Sequence, residues 1–104
     1  MSKYIVITTL CDKKEIANKI QDTLLSKRLV AGCQISEKES TYWWNGKIEK
    51  SIEYHLEMRT KDILYKTIEQ EIKKIHDYDV CEISYYEIKD GNKEFFSWIE
   101  DETK

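Results

Sequence analysis

The dipeptide Asn45-Gly46, set between two long runs of alternating residues, constrains this chain more than any other feature. A two-residue type I′ turn needs positive φ at both central positions, which Asn and Gly tolerate, so the pair closes a β-hairpin and sets its register. The hairpin is expected to run from Cys33 to Thr60. In its second arm Ile48, Ile52, Tyr54, Leu56 and Met58 share one parity and Glu49, Glu53, Glu57 and Arg59 the other, the period of a half-buried strand. Pairing Trp44 with Lys47 puts Cys33 opposite Met58, Ile35 opposite Leu56, Trp43 opposite Ile48 and Lys38 opposite Glu53. The same register sets Glu37 and Glu39 on the apolar face beside Tyr54 and Ile52, so a bulge or twist is expected between Ser36 and Ser40.

Arms of this length reach about 40 Å at ~3.3 Å per residue, whereas a compact domain of 104 residues has a diameter on the order of 33 Å. The hairpin therefore outruns its own domain. Its tip carries Tyr42, Trp43 and Trp44, an aggregation liability if left in water, so a partner surface is implied, most simply a second copy of the chain.

The remaining elements follow from periodicity. Tyr4 to Thr9 reads as a buried, β-branched strand. Asp12 with Glu15 imitates a capping box, and Ile16, Ala17, Ile20 and Leu24 then recur at helical spacing to about Lys27. Leu64, Ile68, Ile72 and Ile75 define a second helix, with Asp62 near its start and Lys73, Lys74 and His76 at its end. Val80 to Ile88 is strand-like, Asp90-Gly91 turns the chain, and Asn92 caps a short closing helix carrying Phe95, Phe96 and Ile99. The order β-α-β-β-α-β, with a helix appended, is that of a ferredoxin-like α+β sandwich in one domain spanning residues 1–104.

Composition narrows the function. With 17 basic residues against 20 acidic, and no run of five like charges, the chain has no electrostatic footprint for nucleic acid or an anionic membrane. No apolar run approaches the ~20 residues of a spanning helix, so membrane insertion is not expected. The apolar start MSKYIVITTL lacks a small-residue cleavage site and reads as a strand rather than a leader. Three cysteines, Cys11, Cys33 and Cys81, form no C-x-x-C pair, which argues against a disulfide scaffold and for a reducing, cytoplasmic setting.

Chemistry-bearing residues concentrate from His76 to Glu82. The run His76-Asp77-Tyr78-Asp79-Val80-Cys81-Glu82 gathers an imidazole, three carboxylates, a phenol and a thiol at a helix-to-strand junction. Set against that reading is a plain one, in which His76 ends the helix and the acids are solvated loop residues. The cysteines are either soft ligands for copper or zinc or small buried hydrophobes, and Met58 beside Cys33 adds a thioether. His55, on the polar parity of the hairpin, reads as an ordinary surface or interface residue. No phosphate loop, His-x-x-x-His, G-x-S-x-G or nucleophile-base spacing is present.

Taken together, Leu29-Val30-Ala31-Gly32-Cys33-Gln34-Ile35, Tyr42-Trp43-Trp44-Asn45-Gly46-Lys47-Ile48, Met58-Arg59-Thr60, the segment from His76 to Ile83, Gly91-Asn92 and Ser97-Trp98-Ile99 resemble the CutA family of divalent-cation tolerance proteins. The resemblance implies a ferredoxin-like subunit of a compact homotrimer, cytosolic, linked to copper and other divalent ions, with no established reaction. It implies an intersubunit ligand cleft at Cys33, Arg59, His76, Tyr78 and Glu82, with Cys33 and His76 as metal candidates and Tyr42, Trp43 and Trp44 at the trimer interface. No metal is expected to be needed for folding. The chain departs from the family pattern where Asp77 and Cys81 replace prolines, Asp79 replaces a glutamate, Gly32 an alanine, Arg59 a lysine, and Cys11 a proline. The expected function is non-enzymatic metal tolerance; the rivals are an enzyme using His76 and Glu82 as an acid-base pair and a purely structural trimeric module.

Overall fold

The computed structural model describes residues 3–78 and 81–104; Asp79, and Val80 where the last strand was expected to start, lie outside them. The elements are β1 (Tyr4–Cys11), α1 (Lys14–Ser26), β2 (Gly32–Trp44), β3 (Lys47–Lys61), a 3-10 turn (Asp62–Leu64), α2 (Tyr65–Ile75), β4 (Ile83–Glu87) and α3 (Lys93–Glu102). They form one antiparallel four-stranded sheet in the order β2-β3-β1-β4, the ferredoxin-like order.

Strand alternation divides the sheet into two faces. Ile5, Ile7 and Cys11 of β1, with Leu56 and Met58 of β3, turn toward the helices and pack with Ala17, Ile20 and Leu24 of α1 and Ile68 and Ile72 of α2, all fully buried. Both helices expose this apolar stripe at i, i+3/i+4 spacing, which is why they lie on one face. α3 covers one end of the opposite face, where Phe96 stacks on Tyr4 at 4.6 Å and Lys61 pairs with Glu100 at 3.1 Å. Among the described residues no helix other than α3 covers that face.

The hairpin register is continuous from Gly32↔Arg59 to Trp44↔Lys47, with Cys33↔Met58 and Lys38↔Glu53 as the alternation requires. Asn45 and Gly46 have φ of 49° and 75°, the pair of positive values a type I′ turn demands. The expected bulge between Ser36 and Ser40 does not form. Glu37 and Glu39 are exposed, because the arms there have run past the helices and no core face remains to expel charge. The overrun shows in the overall extents of 45 × 26 × 21 Å.

Two expectations about helix starts are corrected. α1 begins at Lys14 after an extended Lys13, with no side-chain cap, because β1 continues to Cys11 and leaves Asp12 outside the cap position. Asn92 does occupy the N-cap of α3, but its side chain makes no capping bond. The last strand is shorter than its composition suggested, starting at Ile83. Gly32, at the start of β2, is required by proximity: a Cβ there would lie 2.9 Å from the Trp98 ring of α3.

Candidate functional site

The helix-free part of the sheet borders a cleft. Leu10 of β1, Ser40, Tyr42 and Trp44 of β2, and Ser51 and Glu53 of β3 share the parity that faces it. The chain leaving α2 forms the opposite wall. His76 adopts extended backbone angles (φ −67°, ψ 140°) that end the helix and turn Asp77 and Tyr78 toward the hairpin. Glu82, before β4, completes a cavity of about 710 Å³.

The wall is held by hydrogen bonds that cross long stretches of sequence. His76 Nε2 donates to the Leu10 carbonyl at 2.5 Å, and its Nδ1 accepts the Tyr78 N–H at 3.2 Å. Both ring nitrogens are thus engaged by backbone groups. The Tyr78 hydroxyl donates to Glu53 Oε2 at 2.8 Å. Burial, then the neighbouring Glu53 carboxylate, push the Tyr78 phenol well above its ordinary range, so it stays a donor. Lys13 Nζ meets Asp77 at 2.8 Å and holds that carboxyl below its usual value. Glu82 accepts from Thr8 and Ser84 at 3.0 and 3.1 Å.

Of the residues expected to carry function, Tyr78 and Glu82 line the cleft, as do Tyr42 and Trp44. His76 stands behind it as a buttress. Trp43 points to the opposite face and is 72% exposed. Arg59 lies six residues along β3 from Glu53, on the order of 20 Å, and donates to Gln34 at 3.0 Å. Cys33 sits on the helix-covered face against the core, and burial raises its thiol to about 12. The cleft gains three acids not named as ligand positions: Asp12, read as a helix cap; Asp77, one carboxylate of the 76–82 run; and Glu53. Glu53 was legible only as a solvent-facing strand position, yet it is 5% exposed.

The thiols and imidazole bear on metal binding. Cys33 and the Leu10 carbonyl that holds His76 are separated by two strand spacings, about 10 Å, and by a comparable distance along the sheet. One chain therefore does not bring Cys33 and His76 to a common ion. Cys11 is buried in the core with its thiol raised to about 11 by that burial, and its proton is directed at the Lys13 and Tyr54 carbonyls. It behaves as a small hydrophobe. Among the described residues no group of three or more His, Cys, Asp or Glu converges as a ligand set. His55 is half-buried on the helix-free face, and its Nδ1 is enclosed without a hydrogen-bond partner among the described residues.

A ferredoxin-like domain with an overlong hairpin and an acidic, aromatic cleft beneath it is the class of protein that fold and site define. The family model described as CutA1 divalent ion tolerance protein matches residues 4–102, and the chain belongs to that family. It is 38% identical to the divalent-cation tolerance protein CutA of Pyrococcus horikoshii, covering 96% of this chain and 97% of that one. The structure of the protein described as the periplasmic divalent cation tolerance protein CutA from Archaeoglobus fulgidus superposes with a TM-score of 0.93 at 31% identity, covering 97% of this chain and 99% of the other. The rice protein called CutA 1, chloroplastic, is 31% identical over 96% of this chain, which spans 57% of that longer relative. Among the described residues no helix is long and apolar enough to cross a membrane.

Proposed function

We propose that the chain is a subunit of a non-enzymatic homotrimer that contributes to divalent-cation tolerance, copper included, by binding a cation or small ligand in clefts the subunits complete between them. The observation that carries this reading is the cleft itself: Asp12, Glu53, Asp77 and Glu82 line it together with three aromatic rings, and among the described residues no lysine or arginine does. Such a lining attracts positive charge. The family supplies the physiological context, divalent-cation tolerance.

Self-association is supported by the tip. Trp43, Ile48 and Ile52 are 72%, 61% and 47% exposed on one hairpin, and β2 is an open edge of thirteen residues, which soluble proteins rarely leave bare. Trimer formation would bury Tyr42, Trp43 and Trp44 and bring Cys33 or Arg59 of one copy near the His76 to Glu82 segment of another. A Cys33 and His76 metal site has to be assembled in that way, between chains.

Binding is favoured over catalysis by the state of the polar groups. An acid-base role for His76 needs a free ring nitrogen, and both are committed to backbone groups. The free thiols fit a reducing cytoplasm; fractionation of cells expressing the tagged chain tests that location. For the site, calorimetric titration with Cu(II), Cu(I) and Zn(II) should give saturable binding that Tyr78→Phe or Glu53→Gln weakens about tenfold. Binding no tighter than millimolar, unchanged in Cys33→Ser and in the cleft variants, would remove the metal reading.

A further inference from the structure

We propose that Cys11 and Cys81 form a latent disulfide pair, which a low-molecular-weight disulfide oxidant closes across the end of the sheet. Both thiols are free in this structure. Neither residue is among those that line the cleft, so the inference goes beyond the cation-binding reading and does not depend on it.

The strand register carries the argument. β1 and β4 pair antiparallel from Ile5↔Glu87 to Thr9↔Ile83. Two further steps along each strand set Leu10 opposite Glu82 and Cys11 opposite Cys81. The bonding parity is fixed as well. The Tyr4 carbonyl accepts the Ile88 N–H at 2.8 Å, so even-numbered residues of β1 direct their backbone polar groups at β4, and odd-numbered ones form the pairs without hydrogen bonds between them. Cys11 belongs to the odd set. Pairs of that kind hold their Cα atoms about 4.5 Å apart, inside the roughly 4.4–6.8 Å window of a disulfide.

Side-chain direction agrees. Glu82 sends its carboxylate to Thr8 on the helix-free face at 3.0 Å, so alternation turns Cys81 to the helix-covered face, where Cys11 packs in the core. The pair therefore owes nothing to the sheet face and hairpin tip that self-association covers. Cys33 is too far away to compete: it lies on β2, two strand spacings or about 10 Å from β1, past the ~7 Å reach of a disulfide.

The reduced chain also shows what keeps the sulfurs apart. One more ladder pair would give the Leu10 carbonyl to the Glu82 N–H, but that carbonyl accepts from His76 Nε2 instead, and the pairing stops at Thr9↔Ile83. Cys11 directs its S–H at the Lys13 and Tyr54 carbonyls at 3.7 and 3.9 Å, contacts weak enough to give up.

Burial sets the order of events. Cys11 is fully enclosed and its thiol is raised to about 11, so it does not meet an oxidant first. Cys81 is half-buried. Its thiolate attacks the small disulfide, forming a mixed disulfide and releasing one thiol. Cys11 then gives up its proton and attacks Cys81 Sγ, releasing the second thiol. Two electrons pass from the cysteine pair to the oxidant, and both cysteine protons end on the released thiols.

Peptide mapping after thiol alkylation tests this on the assembled full-length chain incubated with oxidised glutathione. The expected product is one intrachain bond between Cys11 and Cys81 with Cys33 still alkylated, so that the free thiols fall from three to one. Dithiothreitol should restore all three. In Cys11→Ala, Cys81 should be trapped as the glutathione adduct; in Cys81→Ser, Cys11 should stay a free thiol. Mapping of the wild-type chain keeps the readout if Cys11→Ala fails to fold. A bond to Cys33, a link between two chains, a wild-type glutathione adduct on Cys81 beside a free Cys11, or three unreacted thiols would each overturn the pairing, and none of these outcomes bears on cation binding in the cleft.

Discussion

The hairpin and residues 76–78, where the chain leaves α2, face one another at the cleft and are held by different means. β2 and β3 share an unbroken ladder of thirteen paired positions, and at its base Leu56 and Met58 are sealed in the core. The facing segment has no ladder. It rests on His76 bridging the Leu10 carbonyl and the Tyr78 amide, Tyr78 on Glu53, and Asp77 on Lys13. One wall is a periodic element whose stability is spread over many pairs; the other is a loop whose position hangs on a few side-chain bonds. Rigid scaffold and adjustable loop is a common division of labour at binding sites.

That contrast can be broken at either wall, and the expected effects fall in a clear order. Met58→Ala at the hairpin base should cost about 2–5 kcal/mol, since a fully buried side chain leaves a cavity between sheet and helices; denaturant unfolding with an unchanged m-value checks it. Gly32→Ala should cost about 1–3 kcal/mol, because its methyl group would meet the Trp98 ring. Trp98→Ala in the same chain should remove most of that penalty, and a double-mutant cycle without coupling would contradict the contact. Gly46→Ala should cost about 1–2 kcal/mol, as φ of 75° is strained for any residue with a Cβ.

Changes in the loop wall should be smaller and local. Tyr78→Phe removes one hydrogen bond to a partly buried carboxylate, about 0.5–1.5 kcal/mol. Amide exchange should quicken around residues 76–82 and stay unchanged in β2 and β3; uniform acceleration would mean that the two walls are one cooperative unit. The smallest effect concerns pH. Lys13 lowers the folded-state value of Asp77 below the unfolded carboxyl value of about 3.9. The contact therefore contributes above that unfolded value and is lost as pH falls through the lowered folded one. Loop exchange in Asp77→Asn should lose that acid-dependent step, and an identical profile in both proteins would show the contact to be idle.

The difference between the walls also explains what the residues revealed. Alternation from Ile48 to Met58 and the Asn45-Gly46 turn encode register locally, so each cross-strand partner could be read by position. The pattern misled only where it ran beyond the core, at Glu37 and Glu39, because parity carries a penalty only where a buried face enforces it. Asp12 was read as a cap because spacing is visible and the extra length of β1 is not. Around the cleft, the signals are hydrogen bonds between positions 25 and 66 apart in sequence, which leave no periodic trace. Glu53 looks like its solvent-facing neighbours until Tyr78 folds over it. Cys33 and His76 were identifiable as reactive types, but their separation on opposite sides of two strand spacings depends on the assembled sheet.

Sedimentation equilibrium at micromolar concentration tests most directly whether the overlong hairpin with its exposed aromatic tip is completed by further copies of the chain. The expected mass is three times that of the 12.5 kDa chain, reduced when Trp43→Asp and Ile48→Asp are introduced together on the exposed face. A wild-type mass near 12.5 kDa would contradict it.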